Sequence, residues 1–249
     1  MININGGYVQ ARENPTTSDL RKLAKLKKGY QFELFRSKDT GHAWAKHAEA
    51  VRAANFQRLW VHHLGGPHDD FAWLKSFSFF SIVYLASDVL PQPAVLREFN
   101  QVHEFGAGLQ KKGPIKDAED LSDCLRSLRK LGLCGRWKNC AALAGLKKLN
   151  TLSFSYFDCD QPDFLAGMDV QEVVVHHFAH FPMQVISTLP KLKHLEFQTL
   201  PKGFTFPDLR AHPNLQKVVV QPSLPRSFDP KKHFSRKVKL EIAFDRVKF

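Results

Sequence analysis

One apolar pattern recurs along the chain at a nearly constant offset, and it restricts the fold more than any other feature of the sequence. Leu125-x-x-Leu128-x-x-Leu131-x-Leu133 returns 21 residues later as Leu146-x-x-Leu149-x-x-Leu152-x-Phe154. A further 21 residues lead to Val170-x-x-Val173-x-Val175, and 22 more to Leu189-x-x-Leu192-x-x-Leu195-x-Phe197. Another 23 reach Leu215-x-x-Val218-x-Val220, and 22 beyond that lies a weaker Leu240-x-Ile242. The closing apolar-x-apolar triplet of each unit alternates, so one face of a short strand turns inward and the other outward. A strand this short cannot bury its own apolar face. Only stacking on neighbouring repeats does so. The pattern therefore predicts that Leu131, Leu133, Leu152, Phe154, Val173, Val175, Leu195, Phe197, Val218 and Val220 are all core.

The N-terminal half carries the same grammar less cleanly. Leu59-Trp60-Val61-His62-His63-Leu64 and Phe77-Ser78-Phe79-Phe80-Ser81-Ile82 read as strands, with Leu74 three residues before Phe77. Phe99 to Val102 reads as a degenerate repeat, residues 106–120 as an inserted glycine-containing loop, and Tyr30 to Leu34 as a first, capping strand. Alanine-rich Gly41 to Ala54 is expected to be helical. So is 17–28, opened by Thr17 or Ser18 and carrying Leu20, Leu23 and Leu26. The segments Lys138 to Ala144 and Phe181 to Thr188 leave room for little more than one helical turn.

The repeats resemble those of the leucine-rich-repeat family, whose unit is L-x-x-L-x-L followed by a turn position every 20–29 residues. This version is phenylalanine-rich: Phe157, Phe178 and Leu200 stand where the family more often has Asn or Cys. The resemblance covers about residues 56–243 and is strongest in 125–220. It implies an α/β solenoid with a parallel concave β-sheet, short helices or turns on the convex side, and an N-terminal helical cap. Residues 1–55 would form that cap and 56–249 the solenoid, as a single structural domain. In size and organisation the chain is similar to small stand-alone leucine-rich-repeat inhibitors and to the immunity proteins of bacterial toxin systems. That likeness implies a non-catalytic protein-binding module, with a cognate toxin as its partner. The alternatives are an adaptor or a nucleic-acid binder.

Outward strand positions would line the concave face, roughly 40 Å long over about eight strands at ~4.8 Å spacing. They are Arg58, Trp60 and His62; Ser76, Ser78 and Phe80; Lys130, Gly132 and Cys134; Thr151, Ser153 and Ser155; Glu172, Val174 and His176; His194, Glu196 and Gln198; Lys217, Val219 and Gln221; and Lys239 with Glu241. The partner-binding set is drawn from these: Arg58, Trp60, His62, Lys130, Ser153, Ser155, Glu172, His176, His194, Glu196, Gln198, Lys217 and Gln221. Trp60 and Phe80 are expected to anchor a partner. His176 and His194 fall at matching repeat positions and are expected to be neighbours.

Charge enters where the partner is at issue. Thirty-six Lys and Arg against 24 Asp and Glu give +12. The excess is concentrated in Arg21, Lys22, Lys25, Lys27 and Lys28, and in Lys231, Lys232, Arg236, Lys237 and Lys239. Such a field favours an anionic partner, either an acidic patch on a protein or nucleic acid. No recognised RNA- or DNA-binding motif accompanies it. No G-x-S-x-G, H-E-x-x-H or glycine-rich phosphate loop is present, so no enzyme, catalytic residue or cofactor is expected. Cys124, Cys134, Cys140 and Cys159 form no C-x-x-C pair, so they read as reduced thiols with no zinc site. Asp158, Asp160 and Asp163 read as an acidic loop. The longest apolar run, Phe77 to Ala86, is about half a membrane span. With no export signal recognisable at the N-terminus, a cytoplasmic location is expected.

Overall fold

The computed structural model describes residues 2–5, 8–26, 31–35, 40–62, 71–108, 113–177, 183–200, 204–221, 224 and 228–242. Lys27, Lys28, Tyr30, His63, Leu64, Phe178 and Phe181 lie outside the described residues. The chain divides into two compact units, Met1–Pro114 with Asp120–Leu128, and Ile115–Glu119 with Arg129–Phe249.

The first unit opens with an antiparallel pair, β1 (Ile2–Asn5) and β2 (Tyr8–Ala11), in which Ile2 faces Ala11. From β2 onward every pairing is parallel: β3 (Gln31–Phe35), β4 (Arg58–His62), β5 (Ile82–Ala86) and β6 (Glu104–Ala107) follow in order. The strand pair β1–β2 precedes the expected capping strand and was not anticipated. Helix α1 (Thr17–Leu23) is capped by Thr16 rather than by Thr17 or Ser18. The reason is a capping box. The Thr16 hydroxyl accepts from Asp19 N at 3.2 Å, and the Asp19 carboxylate accepts from Thr16 N at 3.1 Å. The same carboxylate accepts from Ile2 N at 3.0 Å, tying the first strand to the helix. Burial alone raises the pKa of Asp19, but the bonds from Ile2 and Thr16 outweigh it and hold the carboxyl well below its usual range. The alanine-rich segment forms two short helices, α2 (Thr40–Ala45) and α3 (Ala48–Ala53), rather than one.

One register and one loop boundary in this unit differ from the sequence reading. Phe77 ends a 3-10 turn, Ala72–Phe77, and the strand begins five residues later at Ile82. The full repeat is Phe77-x-x-Phe80-x-x-Val83-x-Leu85, so Phe80 is core, at 1% exposure, and not an outward anchor. Ser76 and Ser78 likewise sit in and beside the turn, off the strand. The next repeat, after α4 (Pro93–Leu96), is Phe99-x-x-Val102-x-x-Phe105-x-Ala107, with all four apolar residues buried. Gly106 belongs to its strand and not to an inserted loop.

The second unit holds β7 (Lys116–Asp117), β8 (Lys130–Lys138), β9 (Thr151–Cys159), β10 (Glu172–His177), β11 (His194–Phe197), β12 (Lys217–Val220) and β13 (Lys239–Ile242), all parallel. Helix α5 (Ala118–Cys124) carries the chain across the boundary of the two units. The repeat is visible in the backbone itself. Thr151 N donates to Arg129 O, Glu172 N to Asn150 O, His194 N to Gln171 O, Lys217 N to Lys193 O and Lys239 N to Gln216 O. Each rung enters the next strand at its first residue, which sets a common register there; further along, β9 shifts register against β8 and β10. All ten residues expected in the core are at most 1% exposed. The 3-10 turns Cys140–Gly145, Pro162–Leu165 and Met183–Thr188 return the chain between strands. Among the described residues, no helix is long and apolar enough to cross a membrane.

Candidate functional site

In the second unit the outward side chains of β9 to β13 bond to one another from strand to strand. Register places Thr151, Glu172, His194, Lys217 and Lys239 in one row. Thr151 donates to Glu172 at 3.0 Å, and Glu172 pairs with His194 Nδ1 at 3.1 Å. In the neighbouring rows His176 Nδ1 bonds Gln198 Oε1 at 2.6 Å. Glu196 accepts from Gln198 at 3.2 Å and from Gln221 at 2.9 Å. At the far strand Glu241 holds Lys217 at 2.9 Å and Lys239 at 2.7 Å. Those two lysines draw its carboxyl down to about 2.

Most of the expected partner-binding residues of this unit therefore meet on one face. Two corrections apply. His176 and His194 lie on adjacent strands but are not neighbours, because register sets Glu172 opposite His194 and leaves His176 to Gln198. Val219 is buried rather than open. Lys130, Ser153 and Ser155 stand at outward positions of β8 and β9, Lys130 exposed and the two serines half-buried. Tyr156 was missed. It sits at φ 49° beside the register shift of β9, is solvent-exposed, and stacks on His177 with ring centroids 4.5 Å apart.

The first unit's outward face has different chemistry. Register aligns Glu33, Trp60, Tyr84 and Gly106 in one row and Phe35, His62 and Ala86 in the next. Their rings form a continuous stack. Phe35 lies on His62 at 4.1 Å, His62 beside Trp60 at 5.7 Å, and Trp60 beside Tyr84 at 5.0 Å. The Arg12 guanidinium caps the stack, 4.7 Å over Phe35. Gly106 is needed here, since a Cβ would lie 2.5 Å from Tyr84 Cδ1. Tyr84 donates to Glu104, and burial together with that bond pushes its hydroxyl pKa up. Burial pushes His62 down, Arg12 adds to this, and Glu33 opposes it. Glu33 itself is buried and accepts from Gln10 at 2.9 Å and Gln31 at 2.8 Å. Of these, the sequence places Trp60 and His62 on the face, and Arg58, also expected there, stands exposed at the start of β4. The sequence does not place Phe35, Glu33, Tyr84 or Glu104 there.

The basic residues Arg21, Lys22, Lys25, Lys231, Lys232, Arg236, Lys237 and Lys239 are all exposed.

No protein-family model matches the sequence, and no curated protein matches it. Among solved structures, the chain is similar to Toll in the Drosophila Toll–Spätzle complex, with a TM-score of 0.56 at 15% identity over 94% of this chain and 36% of that one. The glycosylated form of that complex gives a TM-score of 0.54 at 14% identity, over 96% of this chain and 37% of that one. Internalin C2 of Listeria monocytogenes gives 0.43 at 14% identity, over 86% and 80%. The chain thus spans about a third of the length of the Toll chain it matches. At such identity the likeness to Toll concerns architecture, and it agrees with the repeat: the fold is a leucine-rich-repeat solenoid.

Proposed function

We propose that the chain is a non-catalytic protein-binding module whose partner docks on the outward sheet face of the second unit. The observation that carries this is the cross-strand ladder from Thr151 to Gln221. Its side chains are already fixed by hydrogen bonds between strands, so binding loses little of their conformational entropy. Six strands at ~4.8 Å spacing span only about 24 Å, and strands of four to nine residues rise ~13–30 Å. Such a face falls short of the ~800 Å² a stable interface takes from each partner. The partner therefore reaches past the face to its rim, where Tyr156 on β9, Lys237 just before β13 and Lys239 at the start of β13 are exposed. Basic rim residues match an acidic surface on the partner. The most specific form of the reading is an inhibitor that occludes a cognate protein toxin bearing such a surface. Toll, in its complex with Spätzle, is a solved example of a protein of this fold engaging a protein ligand.

The test is alanine replacement of His176, His194 and Glu196 in a binding assay with the product of the neighbouring gene. Rescue of growth on co-expression serves as the assay for the toxin reading. Loss of binding with an unchanged melting profile supports the face. Unchanged affinity moves the partner to another surface. A tight, steeply salt-dependent complex with generic RNA or duplex DNA would replace the protein reading with the nucleic-acid one.

A further inference from the structure

Away from both sheet faces, where β8 and β9 give way to their return turns, two cysteines and a carboxylate converge. Cys140 opens the 3-10 turn after β8, set there by Asn139 in a left-handed conformation at φ 56°. Cys159 is the last residue of β9, whose register aligns it with Trp137 of β8. Asp160 follows it. The donor atoms of Cys140, Cys159 and Asp160 all lie within 4.8 Å of one another. We propose that these three residues bind a thiophilic divalent cation of the zinc type, with solvent in the fourth position.

Geometry carries this first. A tetrahedral ion with bonds of about 2.3 Å to sulfur and ~2.0–2.2 Å to a carboxylate oxygen sets those donors ~3.5–3.7 Å apart. Cys159 Sγ and Asp160 Oδ1 stand 3.6 Å apart. Two thiolates select a soft or borderline ion over calcium or magnesium, which take six or more oxygens. Burial is graded as an open site requires: Cys140 is fully buried, Cys159 half-buried and Asp160 exposed, so an ion enters from the Asp160 side.

A supporting residue holds the two cysteine segments together. Gln161 N donates to Cys159 Sγ at 3.3 Å, while Gln161 Oε1 accepts from Ala141 N at 3.0 Å. One residue thus orients a ligand and pins the loop to the turn that carries the other. This is the role that hydrogen-bond partners behind a ligand play in metal sites. The nearby carboxylates are otherwise engaged. Asp117 accepts from Asn139 Nδ2 at 3.0 Å and pairs with Lys138 at 3.2 Å, and Asp158 faces Arg136 at 4.0 Å. A disulfide between the cysteines would give Asp160 no part to play.

The experiment titrates the reduced full-length chain with Cd²⁺ and Co²⁺, following thiolate-to-metal absorption. One equivalent is expected, with tetrahedral d–d bands for Co²⁺. Cys140→Ser and Cys159→Ser should each abolish the band, and Cys124→Ser should leave it intact. Asp160→Asn, an exposed change that spares the fold, should weaken affinity at least as much as the ~10–100-fold expected for Gln161→Ala. Absence of a thiolate–metal band in the wild-type chain overturns the proposal, as does a band that survives both cysteine replacements. A chain that ignores Cd²⁺ but loses two hydrogens to a Cys140–Cys159 disulfide under a mild thiol oxidant also overturns it, by making the pair a redox couple.

Discussion

The two units place outward side chains at the same repeat positions and fill them with opposite physics. On β9 to β13 the face is a ladder of hydrogen bonds and ion pairs, Thr151–Glu172–His194 and His176–Gln198–Glu196–Gln221. On β3 to β5 it is a stack of rings, Phe35–His62–Trp60–Tyr84, capped by Arg12. A parallel sheet sets equivalent residues about 4.8 Å apart, which suits both a hydrogen bond between long polar side chains and contact between flat rings. The scaffold thus fixes spacing and leaves chemistry to the residue. The polar ladder aligns its donors and acceptors with one another, and it is the face proposed above to meet a partner. The ring stack satisfies itself and holds the first unit's strands together.

The deepest common element is the core, and its loss should be the largest effect in either unit. Phe154 and Phe32 are both fully buried, Phe154 against Phe157 at 4.7 Å and Phe32 against Phe56 at 5.3 Å and Trp44 at 5.4 Å. Truncating either to alanine should cost ~3–5 kcal/mol in denaturant melts. A loss below about 1 kcal/mol at one of them would show that unit's repeats to be packed differently from the other's.

Next in size is Gly106→Ala, which acts on the ring stack alone. The added methyl meets Tyr84 at 2.5 Å and forces the ring off Trp60, an overpacking cost of ~1–3 kcal/mol. Near-UV circular dichroism should change with the stack. An unaltered spectrum and melt would mean that Tyr84 and Trp60 are not coupled. The matching change on the polar side, Thr151→Ala, removes one hydrogen bond to Glu172 and should cost ~0.5–1.5 kcal/mol.

The same contrast explains which parts were legible in the sequence. The repeats from Leu125 to Val220 were readable because each pairs a three-residue spacing with one alternation, and no second register fits. In 74–85, Phe77, Phe79, Phe80, Ile82, Val83 and Leu85 allow two alternating frames, and a short apolar run does not choose between them. The three-residue spacing Phe77-x-x-Phe80-x-x-Val83 was the signal that would have decided. Strands β1 and β2 are four residues each, too short to show a period. The outward residues followed where the register was right, Val219 excepted, so Glu172, His176, His194, Glu196, Gln198, Lys217 and Gln221 follow from the sequence and Tyr84 does not. The Cys140–Cys159 pair was invisible for another reason. Its 19-residue separation resembles no metal motif and becomes proximity only once repeats stack.

Acid should separate the faces through His62. Burial holds its pKa below the usual 6.5, so the unfolded chain takes up the proton first as pH falls. The stability owed to neutral His62 is therefore complete above about 6.5 and is lost as pH falls through the depressed folded value. Melting temperatures between pH 7.5 and 5 should fall less for His62→Gln than for the wild type. An equal fall in both would place the acid sensitivity elsewhere. His177, stacked on Tyr156 in the second unit, offers the control replacement.

Salt should separate them through the smallest effect of all, at Glu241. Lys239 and Lys217 hold its carboxyl down to about 2, so the stability it contributes is present above its ordinary pKa near 4.5 and is lost as pH falls towards 2. Lys239 is exposed and Lys217 and Glu241 are partly open to solvent, where ion pairs are weak and fade within a Debye length of ~10 Å at 0.1 M salt and about 3 Å at 1 M. Glu241→Gln should therefore lower stability slightly in dilute buffer and not at all in 1 M salt. The stack between Trp60 and Tyr84 is held by dispersion and burial, which salt does not screen, so the cost of Trp60→Ala should persist at 1 M. Parallel melts of both variants at the two salt levels provide the measurement. A Trp60→Ala penalty that shrinks with salt alongside that of Glu241→Gln would mean the first unit's face owes its cohesion to Arg12 and the surrounding carboxylates rather than to its rings.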